Sequence, residues 1–282
     1  MRGALQCTDD TGHAVAVPGP ARRIVSLVPS HTETIARLAG EEALVGITRY
    51  CVRPAGLPKR RMVVGGTKDP NLEAIVATQP DLVVVNREEN LAPHIEWLRE
   101  RVPVYESATV TLDDAARTIT HLGTLLGVGQ AATQMVAQLA VARSALGAAP
   151  ALRRWRTLYL VWRKPYRSIN GTTYIHHLLD SIALDNVCAS DPERYPSLEP
   201  GRIAALRPQV VLLPDEPFPF GPRHERALVE QLRPLLPRLP RFERLDGSAC
   251  CWYGVRTAEG LNELLPWRRT LEGRLASEPT GG

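Results

Sequence analysis

The sequence predicts an α/β protein built as two similar lobes joined by one long helix. Two segments, beginning at Leu72 and Pro200 and thus 128 positions apart, each read as a short helix, a proline turn and a buried strand. A second pair of matching strands begins at Arg23 and Arg156. Residues 130–146 contain no glycine or proline and repeat their apolar residues at helical spacing. We expect a ligand in the cleft between such lobes.

The first lobe is assigned to residues 1–128, beginning with a hairpin whose turn lies near Gly12. Ser30 or Thr32 should cap the first helix, and Glu33 completes the pattern of a capping box. Asn71 or Asp69 should cap the helix of the first repeat. The predicted strands are 23–28, 44–47, 82–85 and 103–106. The first predicted helix ends near Leu38, and further helices cover 92–101 and most of 111–148.

The second lobe is assigned to residues 150–282, after a connecting helix at 129–149. Its pattern repeats the order of strand, helix, short helix and strand found in the first lobe. Residues 162–171 and 246–256 are predicted as loops. The predicted strands are 157–161, 209–213 and 241–245, and the predicted helices are 172–182, 200–206, 222–233 and 257–272.

Composition narrows the class of protein. The chain has 282 residues, 44% of them hydrophobic, and a net charge of +4 without a block of basic residues, so nucleic-acid binding is not expected. No apolar run is long enough to span a membrane. Five cysteines form no even framework, which predicts a reducing compartment. As the chain begins, without a signal peptide, we expect a cytoplasmic monomer, and a periplasmic one if translation starts upstream.

Aromatic and arginine side chains cluster just after the predicted strands, where open α/β sheets bind their ligands. The chain has only 15 aromatic residues, which makes this placement notable. Aromatic rings with guanidinium groups suit a large, flat or anionic ligand. The residues that carry this pattern are Arg49, Tyr50, Arg87, Trp162, Arg163, Tyr166, Tyr195, Phe218, Phe220, Trp252, Tyr253 and Arg256.

Catalytic motifs are weaker. The sequence has no nucleophile elbow, phosphate loop or dinucleotide fingerprint. Ser30, His31 and Glu33 invite comparison with a hydrolase triad, but helix capping explains them better. Adjacent pairs such as His176-His177 and Cys250-Cys251 have poor spacing for one metal ion, although Glu216 with Cys51 or Cys251 stays open as a metal site. We therefore predict no catalytic residue, no metal ligand and no cofactor.

Several motifs resemble one family over residues 8–272. They are Thr8-Asp-Asp-x-Gly12, Pro20-x-x-Arg-Ile-Val-Ser-Leu-x-Pro-Ser30 into Thr32-Glu33, Gly46-Ile-Thr48, Asn71-Leu-Glu-x-Ile75, Pro80-Asp-Leu-Val83, Asp185-Asn-Val187 and Tyr195-Pro196. The chain resembles the helical-backbone metal receptors, the substrate-binding proteins of ABC importers for cobalamin and iron-siderophores. Within that superfamily it is most similar to a subgroup without a leader sequence.

The resemblance implies two Rossmann-like lobes joined by one backbone helix, as in class III periplasmic binding proteins. It implies a metal chelate, such as a corrinoid or siderophore, bound between lobes that move little. The loops Asn86–Asn90 and Asp215–Phe220 should face each other across the cleft. The predicted ligand contacts are Tyr50, Thr67, Lys68, Asn86, Arg87, Trp162, Arg163, Tyr195, Glu216, Phe218, Trp252, Tyr253 and Arg256.

The family also presents one acidic residue per lobe to an ABC permease. Glu73 matches in the first lobe, and the second-lobe position holds Gly201 with Glu199 nearby. Two alternatives stay open. One is an enzyme on the same scaffold that uses Glu216, Asp246 and Arg256, and the other is an interaction protein whose loop aromatics pack together and close the cleft.

Overall fold

The computed structural model describes residues 3–147 and 152–276, which form two compact units. The first unit comprises the described residues up to Val141 together with Tyr253–Ala258, and the second comprises Ala142–Trp252 and the described chain from Glu259 onward. The predicted helix end at 149 and lobe start at 150 lie outside the described residues. The predicted three-part division of the chain stays a prediction.

Most elements begin and end within one or two residues of their predicted bounds. The elements up to residue 147 are β1 (Leu5–Thr8), β2 (Ala14–Val17), β3 (Ile24–Ser26), α1 (Pro29–Ala39), β4 (Leu44–Ile47), α2 (Leu57–Arg60), α3 (Leu72–Ala77), β5 (Leu82–Asn86), α4 (Ala92–Arg99), β6 (Val104–Ser107), α5 (Leu112–Leu125) and α6 (Gly129–Gly147). The elements after residue 152 are β7 (Trp155–Tyr159), β8 (Trp162–Arg163), β9 (Tyr166–Arg167), α7 (Tyr174–Ser181), β10 (Leu184–Asn186), β11 (Ser197–Leu198), α8 (Pro200–Leu206), β12 (Val210–Pro214), α9 (Pro222–Leu232), β13 (Arg241–Leu245), α10 (Gly247–Cys251) and α11 (Val255–Ala276).

Each unit contains a four-stranded parallel sheet of the same topology. The strand order is β4-β3-β5-β6 in the first unit and β10-β7-β12-β13 in the second. In both sheets, the strand that comes first in the chain lies between the strands that come second and third. The predicted α/β class is confirmed, and the internal repeat extends to the whole sheet.

The repeated segments form matching cores because parallel strands are covered on both faces. All five residues of β5 and all five of β12 are buried. Ile75 of α3 packs in one cluster with Val83 and Val85, and Ile203 of α8 packs in another with Val211 and Leu213. The residues that match in sequence therefore have matching roles in packing.

The turn after each repeated helix is held by an arginine from the neighbouring strand. Gln79 and Arg207, at equivalent positions, both have left-handed backbones, with φ of 50° and 45°. Arg23 donates from Nε to the Gln79 carbonyl at 3.0 Å and also to the Thr78 carbonyl. Arg156 donates in the same way to the Arg207 and Leu206 carbonyls, at 3.4 and 2.6 Å. These bonds satisfy carbonyl groups that the helix end leaves without partners.

The predicted N-cap of the first helix is wrong. Val28 is the N-cap residue, no side chain caps it, and Pro29 begins the helix. Proline suits this first position because its missing N–H needs no partner there. Thr32 lies inside α1, where its hydroxyl donates to the Val28 carbonyl. By contrast, the predicted cap of α3 is confirmed, since Asn71 Oδ1 accepts from the Ala74 N–H at 2.8 Å.

Two predicted loops contain regular structure. Residues 162–171 include the hairpin β8–β9, which pairs with β11 in a separate three-stranded antiparallel sheet. Residues 246–256 include α10, whose N-terminus is capped by Asp246. Both segments are too short for a periodic pattern to be recognised. None of the helices in the described ranges has the length and hydropathy needed to cross a bilayer.

Removing the arginine that holds the first repeat turn should weaken the fold. We expect Arg23→Ala to lower the free energy of unfolding by about 1 kcal/mol, because two helix-end carbonyls lose a charged donor. Urea unfolding followed by circular dichroism measures the change. Arg22→Ala is the matched control, because its side chain is exposed and forms no hydrogen bond or ion pair with the described residues. Equal effects of the two substitutions would contradict this role for Arg23.

Candidate functional site

The loop after β5 in the first unit is built on the Asn86 side chain. Asn86 is buried, its Oδ1 accepts from the Glu88 and Glu89 N–H groups, and its Nδ2 donates to Ser107 Oγ at 2.9 Å. Asn90 closes the loop, since its Oδ1 accepts from the Asn86 N–H at 2.8 Å. Asn86, a predicted ligand contact, therefore lies beneath the loop and positions it.

Other predicted contacts of the first unit lie on the surface at the same edge. Arg87 is the most open of them, with 69% of its side chain exposed and its nearest carboxylate, Glu106, at 3.9 Å. The Lys68 ammonium donates to the Glu88 carbonyl at 2.7 Å, which links two loops. Thr67 lies beside it, and its carbonyl accepts from Asn90 Nδ2.

Tyr50 belongs to an exposed apolar surface of the first unit. Its side chain is 53% exposed, and Arg49 lies over its ring at 5.8 Å while pairing with Asp69. Neighbouring large apolar side chains are also exposed, which is uncommon for a set this close in sequence. They are Val52, Met62 and Val63.

The first unit also contains a largely buried polar cluster. The Tyr253 hydroxyl donates to Glu89 Oε1 at 2.7 Å, and the Tyr253 ring packs against the His31 ring at 5.1 Å between centroids. His31 Nε2 and Ser107 Oγ are 2.6 Å apart. The serine that His31 contacts is thus Ser107 rather than its neighbour Ser30, so these residues do not form a hydrolase triad.

Burial controls the charges of this cluster. It raises the pKa of the Glu89 carboxyl to about 7, although the Tyr253 hydrogen bond acts in the opposite direction. It lowers the pKa of His31 to about 3, so the imidazole is neutral near pH 7. It also raises the pKa of the Tyr253 hydroxyl, which therefore keeps its proton and remains a donor.

The segment Tyr253–Ala258 is held on the first unit by directed polar contacts. Thr34 Oγ1 accepts from the Val255 N–H at 3.1 Å. Arg256 Nε donates to Glu33 Oε2 at 2.8 Å, and both side chains are largely buried. Gly254 has φ of 85°, and a Cβ there would lie 2.3 Å from Thr34 Oγ1, so no other residue fits. Tyr253 and Arg256, two predicted ligand contacts, therefore have structural partners.

In the second unit the aromatic side chains gather around the loop after β12. The Phe218 ring contacts Trp162, Phe220 and His224, with centroids 5.5, 4.8 and 5.1 Å away. Phe220 and His224 are buried, whereas Trp162 is 45% exposed. The cluster fixes the loop and leaves one indole face at the surface.

The predicted acidic residues of the second unit also have partners. Glu216 Oε2 accepts from the Trp252 indole N–H at 2.7 Å. Asp246 caps α10 by accepting from the Ser248 N–H and hydroxyl. A Cβ at Gly247 would lie 2.7 Å from the Glu216 nitrogen, so the two loops approach closely. Glu216 and Asp246 therefore both help to hold these loops in place.

The remaining predicted contacts lie on the three-stranded sheet of the second unit. Tyr195 is half-buried and comes just before β11. Arg163 is paired across the hairpin with Tyr166, which is buried in the core. The exposed face of the hairpin instead carries Trp162 and Arg167, which oppose each other. Arg167 is not among the ligand contacts predicted from the sequence. The signal for it is the excess of positive charge in Arg163-Lys164-Pro165-Tyr166-Arg167.

Residues 3–147 and 152–276 hold no group of three or more His, Cys, Asp or Glu side chains that could hold a metal ion. Cys51 is buried, lies 3.0 Å from Thr32 Oγ1, and has a pKa raised by burial. Burial raises the pKa of Cys250 to about 12. Both thiols are therefore protonated and unreactive.

The family model described as "Periplasmic binding protein" matches residues 24–221 of the chain. The chain belongs to the periplasmic binding protein family. The match covers the two parallel sheets up to the loop after β12, so the residues that build the site of each unit lie largely within it.

Several bacterial proteins are similar to this chain over most of its length. The vitamin B12-binding protein of Vibrio parahaemolyticus is 28% identical over 197 residues, which are 68% of this chain and 70% of the relative. Two solved structures share the fold. The periplasmic vitamin B12 binding protein BtuF of Vibrio cholerae has a TM-score of 0.74 at 21% identity, over 89% of this chain and 98% of that one. The periplasmic heme-binding protein RhuT from Roseiflexus sp. RS-1 has a TM-score of 0.73 at 22% identity, over 89% and 99%.

The raised pKa of Glu89 predicts a specific pH dependence of stability. From about pH 4.5 to 7 the unfolded chain ionises Glu89 while the folded protein keeps it protonated, so folding stability falls as pH rises. Glu89→Gln removes this loss. We expect the variant to gain on the order of 2–3 kcal/mol relative to the wild type between pH 4.5 and 8.

Urea unfolding of both proteins at several pH values measures this difference. Glu96→Gln, an exposed substitution on α4, is the control and should follow the wild type at every pH. Parallel curves for the wild type and Glu89→Gln would refute the burial of a protonated carboxyl.

The two arginines that contact Glu33 should contribute unequally. Arg256 is 12% exposed and Arg37 is 38% exposed, and both donate to the same carboxylate. We expect Arg256→Met to cost about 2–3 kcal/mol, because it leaves a buried carboxylate short of a partner. Arg37→Met should cost less than about 1 kcal/mol, as exposed pairs do. Denaturant unfolding distinguishes them, and equal costs would argue against anchoring of the segment by Arg256.

Proposed function

We propose that the protein binds a tetrapyrrole-type metal chelate, such as a cobalamin or a heme, without chemically changing it. The observation that carries this proposal is the placement of aromatic and cationic side chains at the carboxyl edge of the parallel sheet in each unit. Tyr50 and Arg87 occupy that edge in the first unit, and Trp162 follows β7 in the second. Ligands of open α/β sheets bind at this edge.

The chemistry of these residues suits a large planar ligand. An exposed indole and an exposed phenol provide flat apolar area, and their polar atoms tolerate water at the margin of a site. Guanidinium groups add directed donors for carboxylates or amides. Relatives named for vitamin B12 and a structural neighbour named for heme support the same ligand class.

Binding without turnover agrees with the partners of the acidic residues. Glu216 accepts from Trp252, Asp246 caps a helix, and Arg256 pairs with Glu33. These are the three side chains that the enzyme alternative would use, and each of them is engaged in holding the fold. The alternative of an enzyme on this scaffold therefore gains no support from the geometry.

Transport by an ABC permease is a further part of the proposal. Glu73 on α3 and Glu199 before α8 are both exposed, as docking residues must be. They lie at equivalent ends of the two repeated helices. The predicted compartment, cytoplasmic or periplasmic according to the start of translation, stays a prediction.

Titration with defined chelates tests the ligand class. We expect hemin or cyanocobalamin to quench tryptophan fluorescence with a Kd of about 1 µM or tighter, because Trp162 is exposed at the proposed site. Tyr50→Ala should weaken that binding by about tenfold, as the loss of an aromatic contact does.

The control substitution is Val141→Ala, which removes an exposed apolar side chain of α6 and should leave the affinity unchanged. Absence of binding to both chelates would refute the proposed ligand class. Equal effects of the two substitutions would refute the place of Tyr50 in the site.

A further inference from the structure

The hairpin β8–β9 has two faces of different character. Tyr166 and Leu198 are paired across β9 and β11, and both are buried in the core of the second unit. On the other face, Trp162 opposes Arg167, and Arg167 opposes Ser197. Directly opposed residues of antiparallel strands lie on the same side of the sheet. An exposed indole and an exposed guanidinium therefore lie side by side.

None of the carboxylates in residues 3–147 and 152–276 forms an ion pair with the basic residues of this hairpin. Residues 162–167 contain three basic residues and no acidic one. Within the part of the chain that the structure describes, no carboxylate lies within 4.0 Å of the charged nitrogens of Arg163, Lys164 or Arg167. By contrast, many exposed arginines of the protein are paired, for example Arg154 with Asp180 and Asp185. The local excess of charge is thus a property of the hairpin.

The hairpin also lies at the ligand-binding edge of its sheet. It follows the carboxyl end of β7, and Trp162 packs against Phe218 in the loop that follows β12. The two strands are neighbours in the sheet. The unpaired cations are therefore next to the aromatic cluster rather than on a remote surface, which favours a small ligand over a separate macromolecular partner.

We propose that Trp162 and Arg167 on the exposed face of the hairpin, together with Lys164 in its turn, select chelates that carry carboxylate groups. The indole packs on the ring system, and the two cations donate charge-assisted hydrogen bonds to peripheral carboxylates. A macrocycle whose side chains are neutral amides or esters gains no such bonds. This inference rests on the proposed function and specifies the ligand as an anion.

Three probes and two double variants test the selection. The probes are hemin, which has two carboxylates, its dimethyl ester, and cyanocobalamin, whose corrin side chains are amides. The variant Lys164→Gln/Arg167→Gln removes the two exposed cations of the hairpin. The matched control Lys59→Gln/Arg226→Gln removes two exposed cations elsewhere on the surface. All four substituted positions are exposed, so the variants should fold, and thermal unfolding verifies this.

We expect the wild type to bind hemin at least tenfold more tightly than its ester or cyanocobalamin, with an affinity that falls as salt is added. The hairpin variant should lose roughly tenfold in hemin affinity and keep its affinity for the ester within about twofold. Binding of chelates with no difference between acid and ester, or between hairpin and control variants, would overturn this proposal while leaving the proposed function intact. Binding of none of the probes would overturn both.

Discussion

A short helix leaves its last carbonyl groups without partners. In this protein the pairing of those carbonyls holds each repeated helix, its turn and two adjacent strands together. In each unit the repeated helix ends at a residue with positive φ, and an arginine at the start of the first sheet strand donates to its final carbonyls. The same strand start is tied by its backbone, since Arg23 N–H donates to Asp81 and Arg156 N–H donates to Gln209. Helix, turn and two adjacent strands are thereby held in one register, and the loops at the far ends of those strands have a fixed base.

The two units use that base differently. In the first unit, side-chain amides and hydroxyls build the loop after β5 from within, and the partly buried Glu89 carboxyl accepts a hydrogen bond from Tyr253, which is distant along the chain. In the second unit, aromatic rings hold the loop after β12, and the hairpin beside it keeps its cations unpaired. The polar loop of the first unit leaves Arg87 and Tyr50 exposed. The aromatic loop of the second unit leaves the Trp162 indole exposed.

A shallow groove of about 600 Å³ lies elsewhere in the second unit, lined by α8 residues such as Ala204 and Ala205 and by Leu235–Arg238.

The sequence predicted the fold well because the repeat carries strong local signals. Five consecutive buried residues in β5 and in β12, the prolines before them and the cap at Asn71 are all readable from one chain. The site was less predictable, because side-chain partners come from distant positions. Asn86 was recognised as part of the site, but its role beneath the loop depends on Ser107, 21 positions away. Arg256 stays a predicted ligand contact, but its pairing with Glu33, 223 positions away, cannot be read from the sequence. The cap assigned to Ser30 failed because Pro29 already begins the helix.

The central proposal is that a chelate binds to loops at the carboxyl edge of a parallel sheet. Hydrogen–deuterium exchange with and without a saturating chelate tests it most directly, since bound loops exchange more slowly. The account predicts slower exchange in peptides covering 48–52, 86–91, 162–167 and 215–221, with no change in α8 or in residues 235–238. Protection of the α8 groove in place of those loops would contradict it.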